Sequence, residues 1–274
     1  MNQTLCFIGG GNMARSLIGG LLAREVPAGN IVAADPVAAQ LNSLQQDFGI
    51  RVATDNAVAV QGADVVIIAV KPQMMRNAVT QLAPSLAARP PLLISVAAGI
   101  RAADIELWSG GLPVIRCMPN RPALQGCGAT ALFATPRVSA AGRELAVEIL
   151  SAVGITLWVD REEQMDAVTA VSGSGPAYFF LLIEMLEQSG IALGLPADVS
   201  RKLAIETAYG SGCMARDSSE TPATLREQVT SKGGTTAAAL QHLEAHNVRA
   251  IFAAAVSAAA RRSAELAKEF GDQQ

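Results

Sequence analysis

A glycine-rich turn near the amino terminus limits the fold more than any other feature of the sequence. The apolar run TLCFI leads directly into Gly9-x-Gly11-x-x-Ala14, and a stretch with helical character follows. In this pattern the first glycine allows a tight turn, the second lets a pyrophosphate approach the backbone, and the small third residue lets the helix pack on the strand. The pattern alone could be an ordinary glycine turn, but a second apolar run, NIVAAD, follows at the spacing of a βαβ unit. We therefore predict a dinucleotide-binding site.

The remainder of the chain has two different patterns. Short apolar runs alternate with helical segments through the first 160 residues, which is typical of a parallel sheet with crossover helices. From about Glu162 the Val-rich runs disappear and long helical segments follow, interrupted at GSGP, GLP and SSETP. The sequence predicts an α/β Rossmann-type N-terminal domain over residues 1–161, followed by an all-α C-terminal dimerisation domain over residues 162–274. The expected strands are TLCFIG, NIVAAD, DVVIIAV, PLLISVA and LPVIRCM, extended by GATALFA and GITLWVD.

One helical segment of the second half, PAYFFLLIEMLEQSG, has too many apolar residues to bury them all along a single core-facing side. Residues 177 to 183 are apolar around the whole circumference of a helix. Such a helix needs partners on several sides, so we expect an obligate dimer that buries it between subunits. The predicted interface includes Phe179, Phe180, Leu182 and Ile183.

Charge and composition exclude several classes of partner. The formal net charge is −3, and no cationic cluster exceeds Arg261-Arg262, so we expect no binding to nucleic acid. The amino terminus lacks a basic region, and no apolar run approaches the roughly 18 residues of a membrane span, so we expect a cytoplasmic protein with no membrane contact. The four cysteines are scattered and are expected to be reduced thiols.

A metal site is not expected. His242 and His246 have the spacing of a zinc-protease helix, but Leu243 stands where the base Glu would follow the first His. An exposed helix face explains this pair.

The ends of the predicted strands are the expected cofactor contacts, because ligands of open α/β sheets bind at the carboxyl ends of strands. Asp35 ends the second strand, where a carboxylate can accept a hydrogen bond from a ribose 2′-hydroxyl. No arginine lies between Asp35 and Gln40, which favours NADH over NADPH. The alternative is that Asp35-Pro36 only starts a turn. Lys71 and the segments SVAAG and CMPN follow three further strands.

A second anion site is expected at residues 230–236, TSKGGTT. Backbone N–H groups at a helix start, together with hydroxyls and glycines, favour an anion. The alternative is a capping hydroxyl that only stabilises the helix. Because the Rossmann domain would hold the cofactor phosphates, the second anion is expected to be a carboxylate.

Five segments in order, FIGGGNMA, AVKPQ, RCMPN-x-PA, AVSGSGPAYFF and TSKGGTT, resemble those of the pyrroline-5-carboxylate reductase family, and the resemblance runs essentially from end to end. It implies reduction of L-1-pyrroline-5-carboxylate, a small cyclic imine carboxylate, to L-proline with NADPH or NADH, the final step of proline biosynthesis. It also implies a homodimer or a ring of dimers. A protonated C=N group accepts hydride readily, so the protein has mainly to orient substrate and cofactor, and no strong acid is needed.

The resemblance also implies site residues by position. Ser231 and Thr236 would be catalytic, and Ser231, Gly234, Thr235 and Thr236 would bind substrate across the subunit interface. Cofactor contacts would come from Ile8, Gly9, Gly11, Asn12, Met13, Asp35, Asn56, Ala69, Val70, Lys71, Pro72, Ala97, Ala98, Gly99 and Asn120.

One position departs from the family pattern and keeps alternatives open. Arg121 replaces the threonine usual in MPNTPA. One alternative is therefore a cofactor-binding protein without turnover. Another is a different NAD(P)-dependent dehydrogenase or imine reductase on the same scaffold. A hydroxyacid dehydrogenase of the 6-phosphogluconate type needs a catalytic lysine, and Lys232 is the only plausible candidate.

Overall fold

The computed structural model of this chain describes residues 1–271. Packing divides the chain into two compact units. The first contains Met1–Gly173 together with residues 259–271, and the second contains Ser174–Ala258. Residues 162–173 pack in the first unit, where Glu162 pairs with Arg116 and Asp166 accepts a hydrogen bond from Ser263. The division between residues 161 and 162 remains a prediction about sequence domains.

Eight strands of the first unit form one sheet in the order β3-β2-β1-β4-β5-β6-β7-β8. Strands β6 and β7 pair antiparallel, and the other neighbours pair parallel. The chain order reverses between β1 and β4, which makes the gap between them the topological switch point of a Rossmann-type sheet. The strands are Leu5–Ile8 (β1), Ile31–Ala34 (β2), Arg51–Ala53 (β3), Val65–Ile68 (β4), Leu92–Ser95 (β5), Val114–Met118 (β6), Gly128–Ala134 (β7) and Gly154–Trp158 (β8).

Helices cover both faces of the sheet, because its central strands are apolar on both sides. Leu5 and Phe7 of β1 belong to one buried cluster, and Cys6 and Ile8 belong to another. The helices of the first unit are Asn12–Ala23 (α1), Ala38–Phe48 (α2), Asn56–Ala59 (α3), Pro72–Leu86 (α4), Ala102–Trp108 (α5), Ala140–Leu150 (α6) and Gln164–Val168 (α7), with short 3-10 helices at Ala28–Asn30, Arg121–Gln125 and Ser151–Val153.

The second unit is all helix. A π-helical turn, Thr169–Gly173, leads into its first helix. Its helices are Gly175–Ala192 (α8), Ala197–Asp217 (α9), Pro222–Gln228 (α10), Thr235–Ala245 (α11) and Val248–Gly271 (α12), the last of which continues into the first unit. The predicted fold class, a Rossmann-type unit followed by a helical domain, is confirmed.

The expectation that no apolar stretch reaches the length of a membrane span is wrong. Gln164–Ala192 is a continuous helical stretch of 29 residues that is long and apolar enough to cross a bilayer, and 11% of its most apolar window is buried. Serine, glycine and threonine interrupt this stretch, but they do not lower its mean hydropathy enough to exclude a membrane span. Phe179 and Phe180 of α8 are 65% and 63% exposed in the single chain.

Helices α8 and α9 pack closely because one of the residues at their contact has no side chain. A β-carbon on Gly190 would overlap Oγ of Ser200 and lie 3.2 Å from its Cβ. Ser200 is buried, and its hydroxyl donates a hydrogen bond to the Glu187 carbonyl oxygen at 2.7 Å. The spacing of the two helices therefore depends on Gly190.

Candidate active site

A cleft of about 810 Å³ lies at the carboxyl ends of β1, β2 and β4, at the switch point of the sheet. Eight of the predicted cofactor residues line it: Ile8, Gly9, Gly11, Asp35, Asn56, Ala69, Val70 and Lys71. These residues come from four separate segments of the chain. The fold therefore brings them together at the edge where ligands of such sheets bind.

The glycine loop at the mouth of α1 fits a pyrophosphate. Gly9 has φ +101°, and a β-carbon there would lie 2.6 Å from the Ala69 carbonyl oxygen, so the turn requires glycine. Among the described residues other than Gly11 and its two chain neighbours, no heavy atom lies within 4 Å of the position a Gly11 β-carbon would take. Gly11 is also the N-cap of α1, and no side chain caps that helix start. Its first N–H groups and the open space above Gly11 are what a bound diphosphate needs.

Asp35 supports the glycine loop directly. Its Oδ2 accepts a hydrogen bond from the Gly10 backbone N–H at 2.7 Å, and its Oδ1 accepts one from the Val37 N–H at 2.8 Å. The carboxylate thus ties the end of β2 to the glycine loop and starts the turn into α2. Asp35 therefore starts a turn, and it can also contact a ligand, because it lines the cleft and its charge is available there.

The face of α4 that lines the cleft was not predicted. Met74, Asn77, Ala78 and Gln81 all line it. Their spacing of three and four residues is that of one helix face. The signal was present, since α4 begins directly after Lys71 and its exposed polar positions recur with the helical period.

Seven predicted cofactor residues are not part of the cleft lining: Asn12, Met13, Pro72, Ala97, Ala98, Gly99 and Asn120. Asn12 and Met13 begin α1, and Pro72 begins α4, so they adjoin residues that do line it. Ala97 to Gly99 form the loop after β5. In this loop Ala98 is exposed, while Ala97 and Gly99 are buried.

Asn120 uses its side-chain amide within the protein. Its Oδ1 accepts a hydrogen bond from the Ala129 N–H at 3.0 Å, and its Nδ2 donates one to Ser172 Oγ at 3.1 Å. Gly173 follows, and a β-carbon on it would overlap the end of the Met118 side chain. Two motifs that are separate in the sequence, RCMPN and VSGSG, therefore meet where β6 ends.

Arg121, the departure from the family pattern, is exposed at the start of its 3-10 helix. This helix is anchored through a hydrogen bond from Ser16 Oγ of α1 to the Ala123 carbonyl oxygen at 2.7 Å, and Ala123 is buried. The long cation therefore lies outside the packed core.

The predicted substrate segment lies in the second unit. Gly233 has φ +71°, which favours glycine, and Gly234 is the N-cap of α11. In the described chain no side chain caps α11, so the hydroxyls of Thr235 and Thr236 do not have the capping role that was the alternative. Ser231 Oγ lies directly against Gly234, where a β-carbon would overlap it. This helix start keeps free N–H groups beside hydroxyls.

Neither histidine and none of the four cysteines lines the cleft. The rings of His242 and His246 lie 4.2 Å apart, and among the described residues no group of three potential ligands could hold a metal ion. Burial raises the pKa of the Cys6 thiol to about 12 and also raises that of Cys117, so neither forms a thiolate near neutral pH. Both are free thiols, as are Cys127 and Cys213.

Known proteins share this sequence over almost its whole length. A pyrroline-5-carboxylate reductase from Pseudomonas aeruginosa is 51% identical over 268 residues, which are 97% of this chain and 98% of that protein. The chain belongs to the pyrroline-5-carboxylate reductase family. The family model described as pyrroline-5-carboxylate reductase dimerisation matches residues 162–266, and a model described as NADP oxidoreductase coenzyme F420-dependent matches residues 4–99.

Solved structures of the same family have the same fold. A pyrroline-5-carboxylate reductase from Coxiella burnetii superposes with a TM-score of 0.94 at 37% identity, covering 98% of this chain and 100% of that one. The enzyme from Plasmodium falciparum, with NADP bound, gives 0.84 at 28% identity, covering 97% and 98%. The family, the enzyme class and the nicotinamide cofactor predicted from the motifs are confirmed: the chain is an NAD(P)H-dependent oxidoreductase with a dimerisation domain.

Proposed function

We propose that this chain reduces L-1-pyrroline-5-carboxylate to L-proline, and that its two anion sites divide the work between cofactor and substrate. Membership of the pyrroline-5-carboxylate reductase family supports this reaction. The open space above Gly11, at the uncapped start of α1, carries the assignment of the cofactor site. Another dehydrogenase on this scaffold, or a protein without turnover, is not favoured by relatives that match over the whole chain.

The Rossmann-type unit binds NADH or NADPH in the cleft. The α1 start binds the diphosphate, and residues 8, 9, 11, 35, 56 and 69–71 line the bound cofactor. NAD(P)H supplies the hydride that adds to the C=N carbon. NADH is preferred, because the Asp35 carboxylate would lie near a 2′-phosphate with like charge and Lys71 is the one cation among the described lining residues. Ala97 to Gly99 border the nicotinamide.

The start of α11 binds the substrate. Its N–H groups and the Ser231, Thr235 and Thr236 hydroxyls hold the carboxylate and the imine edge, and the glycines leave room for a small ring. The imine nitrogen is already protonated when hydride adds to the C=N carbon. These residues therefore orient the substrate, and no side chain has to act as a strong acid. The neutral hydroxyls of the loop suit this role.

The chain works as a homodimer, or as a ring of dimers, in the cytoplasm, and it binds neither nucleic acid nor a membrane. The match to the dimerisation model over residues 162–266 supports an oligomer. A second copy is the simplest cover for the exposed apolar residues of α8, including Phe179 and Phe180. That cover also explains a long apolar helix without a bilayer.

Thr236→Ala tests the substrate site. The variant should keep its affinity for NADH while kcat/KM for pyrroline-5-carboxylate falls at least about tenfold, since a lost hydrogen bond to a charged group costs roughly 1.5–3 kcal/mol. Thr221→Ala is a matched control in the same unit, because the Thr221 hydroxyl accepts a hydrogen bond from the Thr224 N–H at the start of α10. The control should lose stability and keep its kinetics. A Thr236 variant that behaves like this control contradicts the substrate role.

A further inference from the structure

The loop after β5, residues 96–101, is held in place by residues that are distant from it in the sequence. The last turns of α12 return to the first unit, and Phe270 packs against the buried cluster that contains Ala97, Ile100 and Ala102. A methyl group placed on the Gly99 α-carbon would lie 3.4 Å from Cδ2 of Phe270 and 3.5 Å from Cβ of Leu266. The end of α12 therefore forms a wall in close contact with the buried side of this loop.

A second contact fixes the far end of the loop. Glu162 Oε1 accepts a hydrogen bond from the Ala102 N–H, the first residue of α5, at 2.6 Å. The same oxygen accepts one from Arg116 Nη1 at 2.9 Å, and the Arg116 side chain is 5% exposed. An ion pair this well shielded from water has a defined geometry, so Glu162 holds the start of α5 in one position.

The α12 wall is itself anchored. Ser263, which is buried, donates a hydrogen bond to Asp166 Oδ1 at 2.7 Å, and Ala267 is buried one turn later. Ser263, Leu266, Ala267 and Phe270 recur at three and four residues, so one face of α12 makes all of these contacts. Gly99 has φ +72°, and its turn cannot shift toward α12 without meeting this face.

We propose that Phe270, Leu266 and Glu162 are positioning residues for the nicotinamide end of the cofactor. They fix the Ala97–Gly99 loop from behind, while Ala98 is its exposed residue. The inference rests on the proposed function in one respect, the placement of this loop beside the nicotinamide. It assigns a role in cofactor geometry to residues that belong, by sequence, to the dimerisation half of the chain.

The first test uses the full-length protein without cofactor. Phe270→Ala should raise the amide hydrogen exchange of residues 99–102 at least about tenfold, because the loop loses the packing that opposes its local opening. Leu112→Ala is the matched control, since Leu112 belongs to the same buried cluster but lies before β6, at the amino end of the strand. It should lower the melting temperature and leave this exchange unchanged.

The second test compares binding of NADH with binding of ADP-ribose, which lacks the nicotinamide. Phe270→Ala should weaken NADH at least about fivefold and change ADP-ribose less than twofold, and Phe270→Leu should restore most of the loss, as expected for a defect in placement rather than in folding. Leu266→Ala gives the same comparison if the first variant does not fold. Unchanged exchange in a folded variant, or an equal loss for both ligands, overturns the proposal. Neither readout uses substrate, so a failure of the proposed reaction is seen separately, as absent turnover in the unaltered enzyme.

Discussion

Asn120→Ala is expected to impair stability much more than cofactor affinity. The position lies in a motif for which family resemblance implies a cofactor contact. In the structure, however, the amide of Asn120 is engaged by Ala129 on one side and by Ser172 on the other. Its removal separates the end of β6 from the π-helical turn that precedes α8.

The size of the effect follows from the two bonds. The Ala129 N–H loses its acceptor in a half-buried place, and the Ser172 bond disappears, for a total of about 2–3 kcal/mol. For a chain of this size that lowers the melting temperature by about 4–12 °C. Ser172→Ala removes the second bond and the longer one that Ser172 Oγ donates to the Ala129 carbonyl oxygen at 3.4 Å, but it leaves the Ala129 N–H its acceptor and should cost less. Asn120→Asp keeps an acceptor for the Ala129 N–H and should lie between the two.

Thermal unfolding and calorimetric titration with NADH distinguish the roles. We expect the three variants to rank Asn120→Ala, Asn120→Asp, Ser172→Ala in loss of stability, with NADH affinity within about threefold of the unaltered protein, a difference below 1 kcal/mol. If Asn120→Ala melts at the original temperature and binds NADH tenfold more weakly, the residue is a cofactor ligand and the reasoning from its hydrogen bonds is wrong.

Three further outcomes are expected. Asp35→Ser should lower KM for NADPH more than KM for NADH, because it removes a negative charge from the cleft; unchanged ratios would make Asp35 a turn residue only. Phe180→Glu should give an aggregated or unfolded chain, whereas Leu107→Glu, at a still more exposed apolar position in α5, should stay assembled; a stable, active monomer of the first would contradict the dimer. At pH 8 a thiol reagent should modify exposed Cys127 before buried Cys6, whose pKa of about 12 keeps it protonated; equal rates would contradict that burial.

Most of the fold could be predicted because its signals are local. The strands of the sheet are apolar runs bounded by turns, and the glycine loop has a backbone conformation that the sequence reveals, as the φ of Gly9 illustrates. Strand β3 was missed because three residues, Arg51–Ala53, are too few to show a period. The π-helical turn was missed because one of its residues, Ser172, accepts a hydrogen bond from Asn120, which lies 52 positions earlier in the chain.

The candidate site was predictable where a strand end defines it and not where a helix face or a distant segment does. Gly11 and Lys71 follow strands directly, and both line the cleft. Asn77 and Gln81 line it on one face of α4; the helical period marks that face, but it does not say that the cleft lies against it. The contact of Phe270 with Gly99 joins residues 171 positions apart, and only the folded chain brings them together.

The close contact of Gly190 with Ser200 has a consequence for assembly. A substitution at this contact can alter how subunits associate, although no exposed apolar residue of α8 or α9 is changed. The exposed apolar side chains of α8 and α9 project from two helices whose separation is set at the contact of Gly190 with buried Ser200, not by those side chains. A larger residue at 190 would force α8 and α9 apart and displace the side chains that both helices expose. A substitution at position 190 should therefore change the assembly of the protein while every exposed apolar residue of these helices stays the same.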